Sequence, residues 1–264
     1  MIDPVELASV AAAFGVADTQ VRHDHLISHA LSAIAGLGLP LTFFGGTALA
    51  RTHVCDPAAG ARLSEDIDLY SPERRRVAEV LDDRLPSLLR REFPATTWDP
   101  PLSAVRAVDP AELASREGIR VRIQLLDSGG GHQDLARWPT EVRTIDLRYR
   151  DLPDRATLRV PTLSAFAAMK TIAWADRHTA RDLYDLARIA GIGGLTQDVA
   201  TQVRQATGWS VLPGLFSSLP PLDWTAQLGH QTATLPTAEQ CLIDVRQAFA
   251  AALDWPISNG PSSD

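Results

Sequence analysis

Apolar and polar residues follow two different periods along this 264-residue chain. Up to about residue 160, segments with helical spacing are mixed with short segments in which apolar residues occupy every second position, as in half-buried strands. Beyond that point only helical spacing recurs. The predicted helices of the first part are 4–14, 19–36, 47–53 and 73–92, its predicted strands are 119–126, 141–149 and 156–160, and the later predicted helices begin near residues 163, 180, 196 and 237.

This order of elements predicts an α/β or α+β core with a mixed sheet, followed by a C-terminal helical domain. We expect a core with N-terminal helices at 1–160, a helical domain at 161–255 and a flexible tail at 256–264. Two capping boxes support the later helices. Thr179 with Asp182, and Thr237 with Gln240, have the spacing at which a hydroxyl caps a new helix.

Composition narrows the class of protein. Hydrophobic residues make up 45% of the chain, yet no apolar run is long enough to cross a bilayer. The first residues lack the features of an export signal, and two cysteines give no disulfide framework, so we expect a cytoplasmic protein with free thiols. The net charge of −7 argues against coating of nucleic acid by overall attraction, so any nucleic-acid contact is expected to be local.

The most informative motif joins a glycine pair to an acidic pair. An apolar run ends at Gly45-Gly46-Thr47, where the missing side chains allow backbone amides to approach a phosphate. Downstream, Asp66 and Asp68 alternate with apolar residues, which places both carboxylates on one face of a strand, about 6 to 7 Å apart. An Asp-x-Asp alone is more often an ordinary strand edge. The glycine turn upstream instead favours a metal-dependent nucleotidyl-transfer site.

Two such carboxylates repel each other by about 2 to 3 kcal/mol at an effective dielectric constant near 20. A divalent cation between them would turn this repulsion into attraction, and oxygen ligands favour Mg²⁺ or Mn²⁺. Arg62 and Ser64 precede the acids and could contact a triphosphate. The alternative is that Arg62 pairs with a nearby acid and Ser64 ends a turn.

Lys170 is the only lysine among the 25 basic Lys and Arg residues. A background that supplies arginine elsewhere suggests a specific need for a compact ammonium group, such as contact with one phosphate oxygen. The alternative is that Lys170 lies on a helix surface by chance and has no specific role. Asp185 lies one turn after Asp182, near the start of the helix that follows Thr179. If the chain folds back at this break, we expect Lys170 and Asp185 to point into the same cleft. Asp182 is assigned only the capping position.

His25 and His29 lie one turn apart on the second predicted helix. This spacing is compatible with zinc ligation, but the sequence shows no accompanying cluster of further ligands. A helix surface or a packed ring pair is therefore the favoured interpretation.

Together these residues resemble a known family. The blocks Phe43-Phe44-Gly45-Gly46-Thr47-Ala48-Leu49 and Arg62-x-Ser64-x-Asp66-Ile67-Asp68-Leu69, followed by Lys170 and the stretch from Arg177 to Leu186, are similar to those of the AbiEii/AbiGii toxin family, which includes the MenT nucleotidyltransferase toxins. The resemblance spans about residues 18 to 191.

The resemblance implies a polymerase β-like nucleotidyltransferase fold and a toxin of a toxin–antitoxin or abortive-infection system. It implies transfer from an NTP to the 3′ end of tRNA, which inhibits translation, and a cognate antitoxin encoded nearby. By position, Gly45, Gly46 and Thr47 would meet the triphosphate, and Asp66 and Asp68 the metal. Lys170 would contact the phosphates, and Asp185 would be the last catalytic acid.

One departure from the family pattern concerns the third carboxylate that such enzymes usually bring from a neighbouring strand. This chain has Arg122 or Gln124 at that place. Either the third acid comes from elsewhere, with Asp127 and Asp185 available, or the metal site has fewer acidic ligands. Two alternatives therefore stay open. One is a nucleotidyltransferase that acts on a small molecule or a protein, and the other is an NTP-binding regulator without turnover.

Overall fold

The computed structural model describes residues 2–63, 65–128, 135–153, 155–232 and 235–255. The chain divides into two compact units, Met1–Thr162 with Gly229–Thr234, and Leu163–Leu228 with Leu235–Asp264. Ser64 and the tail at 256–264, to which predictions were assigned, lie outside the described residues. Among the residues that are described, no helix combines the length and apolar character that crossing a bilayer requires.

Seven strands form one mixed sheet within the described part of the first unit. The strands are β1 (Thr42–Phe44), β2 (Asp66–Tyr70), β3 (Thr97–Trp98), β4 (Ala111–Ala114), β5 (Arg120–Leu126), β6 (Thr140–Thr144) and β7 (Thr157–Pro161). Their spatial order is β3-β4-β5-β2-β1-β7-β6. The pairs β5/β2 and β1/β7 are parallel, and the other neighbouring pairs are antiparallel. This mixed sheet confirms the predicted fold class.

The helices of this unit begin and end where local chemistry dictates. They are α1 (Pro4–Phe14), α2 (Asp18–Gly36), α3 (Gly45–Thr52) and α4 (Arg74–Leu89), with short 3₁₀ turns at Pro57–Ala59, Leu102–Ala104 and Leu135–Arg137. The Asp3 carboxylate accepts hydrogen bonds from the first amides of α1, and Gly15 ends that helix in the left-handed conformation.

In its described residues the second unit contains helices and no strand. They are α5 (Leu163–Arg177), α6 (Ala180–Gly191), α7 (Gln197–Thr207), α8 (Trp224–Leu228) and α9 (Ala238–Leu253), with a 3₁₀ turn at Pro213–Phe216. The predicted helix starts are confirmed, because the hydroxyls of Thr179 and Thr237 accept hydrogen bonds from the amides of Asp182 and Gln240. Helix α6 packs against α5, α8 and α9.

Candidate functional site

Gly45 and Asp68 lie in direct contact at the junction of β1 and α3. The antiparallel β1/β2 register places Phe44 opposite Asp68, so the next residue, Gly45, starts α3 beside the Asp68 side chain. A β-carbon on Gly45 would lie 2.0 Å from Asp68 Oδ2, and Gly45 has a φ of +79°. Both the space and the backbone conformation therefore require glycine here.

Thr47 fixes the first turn of α3 to the start of β2. Its side chain is buried, and its hydroxyl donates a hydrogen bond of 2.6 Å to the carbonyl oxygen of Asp66. Gly45, Gly46 and Thr47 form this first turn, whose backbone N–H groups have no partners within the helix and favour an anion. The glycine turn and both acids are thus held together in one unit.

The two acids share one face of β2. Ile67 and Leu69 are fully buried on the opposite face, whereas Asp66 and Asp68 are partly exposed. The Asp66 side chain is 33% exposed. Two accessible carboxylates on one strand form an oxygen donor set that fits Mg²⁺ or Mn²⁺.

The neighbouring strand β5 carries no acid beside this pair. The parallel register sets Asp66 opposite Arg122 and Asp68 opposite Gln124, as the sequence predicted. Arg122 Nε lies 3.9 Å from Asp66 Oδ1, and the Gln124 amide donates to the carbonyl oxygen of Val108. A cation and an amide therefore stand at the positions where a third carboxylate was expected.

The segment before β2 forms hydrogen bonds with residues from much later in the chain. Arg62 is buried and its Nη1 donates to Gln231 Oε1 at 2.8 Å, while the amide of Leu63 donates to the Gln231 carbonyl oxygen. Glu65 hydrogen-bonds His230. Arg62, predicted as a triphosphate contact, thus has a visible structural role in placing β2.

Buried charges also support the C-terminal end of α3. Arg51 is fully buried and its Nη2 lies 2.8 Å from Asp24 Oδ1. Arg148 Nη1 lies 3.2 Å from the same oxygen, and the Tyr149 hydroxyl donates to the other oxygen of Asp24. Burial raises the pKa of Tyr149, and so does the Asp24 charge. No sequence pattern indicates this network, because its members lie on three distant segments.

Lys170 lies between two carboxylates in the second unit. Its Nζ is 2.7 Å from Asp185 Oδ2 and 3.1 Å from Asp182 Oδ1, and its side chain is 12% exposed. The structure therefore brings Lys170 and Asp185 together. Because α5 and α6 meet at the break near Thr179, residues that lie a full helix apart in sequence become neighbours.

Asp182 does more than the capping position predicted. Its side chain is fully buried and also accepts hydrogen bonds from Arg177 and from the Thr179 hydroxyl. Burial alone would raise the pKa of Asp182, but the Lys170 charge, the Arg177 guanidinium and the Thr179 hydroxyl together hold it well below its ordinary value. The capping-box spacing concealed this second role.

The match to a family model defines the class of this protein as a nucleotidyltransferase. Residues 29–255 match the family described as nucleotidyl transferase AbiEii toxin, type IV toxin–antitoxin system, and the chain belongs to that family. No curated protein sequence gives a significant match to this chain.

Solved structures show the same fold. MenT4, a nucleotidyltransferase toxin from Mycobacterium tuberculosis H37Rv, superimposes with a TM-score of 0.65 at 19% identity, over 95% of this chain and 90% of that one. JHP933 from Helicobacter pylori gives a TM-score of 0.55 at 15% identity, over 90% of this chain and 94% of that one. At these identities the likeness establishes the fold.

Proposed function

We propose that this chain is a toxin that transfers nucleotides from an NTP to the 3′ end of tRNA and thereby inhibits translation. It would act in the cytoplasm, where tRNA is found, and be restrained by a cognate antitoxin encoded nearby. Membership of the AbiEii family supports the toxin and transferase parts of this proposal. The tRNA acceptor rests on the resemblance described above.

The observation that carries the proposal is the contact between Gly45 and the Asp68 carboxylate. It places an acid at the N-terminal turn of α3, where free amides favour phosphate oxygens. The Asp68 carboxylate is itself stabilised beside a helix N-terminus, but it would repel a phosphate bound there unless a cation lay between them. Asp66 and Asp68 would hold Mg²⁺ or Mn²⁺, which would supply positive charge to the triphosphate when bound.

The remaining roles follow from the side chains of this chain. In the proposed reaction the acceptor 3′ hydroxyl attacks the α-phosphorus of the NTP, a new phosphodiester bond forms, and pyrophosphate leaves. The amides of Gly45, Gly46 and Thr47 would orient the triphosphate. Lys170 would neutralise its charge, and Asp185, which lies 2.7 Å from Lys170 Nζ, would orient that ammonium group or accept the proton of the hydroxyl.

One observation favours a second candidate function. Arg122 stands opposite Asp66 where a third carboxylate was expected. A metal site with two acids instead of three is compatible with a regulator that binds NTP without turnover.

Labelled nucleotide transfer distinguishes these functions. The purified chain is incubated with Mg²⁺ or Mn²⁺, total tRNA and each α-labelled NTP, and the label is traced to RNA, protein and small molecules. We expect label on tRNA, and none on tRNA whose 3′ hydroxyls were first oxidised with periodate. If the label is found only on protein or only on a small molecule, that molecule and not tRNA is the acceptor. NTP binding in calorimetry without pyrophosphate release would support the regulator.

A further inference from the structure

Three potential metal ligands converge on one point of the first unit. His25 Nε2 lies 2.9 Å from Asp151 Oδ2, His29 Nε2 lies 3.1 Å from the same oxygen, and the two ring nitrogens are 3.1 Å apart. The two rings pack edge to face, as the sequence led us to expect, but no sequence pattern indicated that Asp151 joins them. Asp151 lies more than 120 residues away along the chain, so its position depends on the fold.

We propose that His25, His29 and Asp151 form a binding site for a transition-metal dication, Zn²⁺ in the first instance, separate from the acid pair on β2. In tetrahedral zinc sites the ligand atoms lie about 2.0 to 2.1 Å from the metal, and therefore about 3.3 Å from one another. The triangle formed by the three atoms is smaller by a few tenths of an ångström. Small side-chain shifts would seat the ion.

Hydrogen bonding alone does not satisfy this triangle. Each neutral imidazole carries one proton, on either of its nitrogens, so two neutral rings supply at most two protons to three close contacts. If both rings donate to Asp151 Oδ2, the contact between the two ring nitrogens has no hydrogen bond. With both protons on Nδ1, two lone pairs and a carboxylate oxygen face the same point, which is the donor arrangement of a metal site.

The surroundings suit bound metal in other respects. The rings of Phe93 and Tyr149 pack against His25, and Phe93 also packs against His29, which fixes the imidazole orientations. His25 is almost fully buried, whereas the side chains of His29 and Asp151 are 14% and 34% exposed. The open side leaves room for a water or another fourth ligand.

Imidazole ligands also select the type of ion. Mg²⁺ and Ca²⁺ prefer oxygen ligands, while two imidazoles and one carboxylate suit Zn²⁺ and its neighbours in the first transition row. This site and the acid pair on β2 would therefore bind different ions. The inference depends only on these three side chains and not on the proposed transfer reaction.

The metal would join α2 to the segment that contains Asp151. That segment also carries Arg148 and Tyr149, which reach Asp24 on α2, and Asp24 in turn pairs with Arg51 of α3. A bound ion held by His25, His29 and Asp151 would add a third link between α2 and this segment, beside the contacts of Arg148 and Tyr149 with Asp24. It would stabilise the native state, because the unfolded chain does not hold the three ligands together.

The test uses full-length protein purified without a polyhistidine tag. After treatment with a chelator and buffer exchange, Zn²⁺ is added and excess is removed, and the bound metal is measured by mass spectrometry. We expect one zinc per chain, a higher unfolding temperature with zinc, and visible d–d absorption of tetrahedral type when Co²⁺ is used instead. Excess Mg²⁺ should not displace the zinc.

Two ligand variants and one control decide the assignment. Asp151→Asn and His29→Asn change partly exposed ligands and should weaken zinc affinity by more than about tenfold while the circular dichroism spectrum is retained. His23→Asn removes a histidine of the same helix that instead contacts the carbonyl oxygen of Arg120, and it should bind zinc like the wild type. Failure of the wild type to bind zinc would overturn the proposal, as would equal binding by all four proteins.

Discussion

The Asp68 carboxylate fills the space that a β-carbon on Gly45 would occupy. This contact links the glycine turn to the acid pair physically, although 23 positions separate the two residues in the sequence. It explains why the turn requires glycine on both steric and conformational grounds. It also makes the position of Asp68 sensitive to the smallest possible side chain at residue 45.

Gly45→Ala should therefore abolish nucleotide transfer while only moderately lowering stability. The new methyl group would push the Asp68 carboxylate out of place, and an alanine at a φ of +79° adds a backbone cost of about 1 to 2 kcal/mol. Transfer assays and urea unfolding measure the two effects. Gly36→Ala is the matched control, because nothing lies within 4 Å of its added carbon. Full transfer by Gly45→Ala would contradict this role of the contact.

Lys170→Arg should remain folded and lose at least about tenfold in transfer rate. The guanidinium group keeps the positive charge beside Asp185 and Asp182, but it is not the compact ammonium group that the proposed phosphate contact requires. Single-turnover assays measure the rate. Arg75→Lys, which exchanges the same two residue types at a 93% exposed position, should leave it unchanged. An equally fast Lys170→Arg protein would show that only charge matters here.

Asp182→Asn should destabilise the protein by about 2 to 3 kcal/mol. The substitution weakens contacts to Lys170 and Arg177 in a fully buried position, and the loss is limited because Asp185 still pairs with Lys170. Urea unfolding gives the free-energy difference. Asp176→Asn, an exposed acid on the neighbouring helix, should change stability by less than about 0.5 kcal/mol. Similar values for the two variants would refute the assigned importance of Asp182.

The stabilisation by Asp182 should depend on pH in the acid range. Its pKa is depressed in the folded state, so below the ordinary value of 3.8 the unfolded chain takes up a proton before the folded protein does. The advantage of the wild type over Asp182→Asn should be complete at about pH 5 and above, and should narrow below about pH 4 by at most about 1.4 kcal/mol per pH unit. Urea unfolding at several acidic pH values measures it. A constant or widening difference would contradict the depressed pKa.

Local sequence patterns predicted the parts of the fold that local chemistry determines. Helix α1, the start of α6 at Thr179 and the start of α9 at Thr237 were all predicted from caps and apolar spacing, and the structure confirms them. Strand β4 was not among the predicted strands, because it lies at the end of a proline-rich connection. Its residues form a strand through pairing with β5 rather than through a strong pattern of their own.

In the candidate site, too, local patterns were predictable from the sequence, whereas contacts between distant segments were not. The alternation of Asp66 and Asp68 with buried residues was visible in the sequence, and the resemblance to the family indicated that Arg122 or Gln124 takes the place of a third acid. The second contact of Asp182 with Lys170 and the approach of Asp151 to His29 were not visible. Both depend on how distant segments pack, and a capping motif or a helical spacing carries no information about such partners.

We propose that nucleotide transfer depends on a cation held by Asp66 and Asp68. The most direct measurement compares wild type with Asp66→Ala for transfer from each α-labelled NTP to tRNA, with Asp83→Asn as an exposed-acid control on α4. We expect wild type and Asp83→Asn to label tRNA in the presence of Mg²⁺ or Mn²⁺, chelation to abolish the label, and folded Asp66→Ala to give none. Equal labelling by Asp66→Ala and wild type, or no labelling by wild type with any NTP, would contradict this proposal.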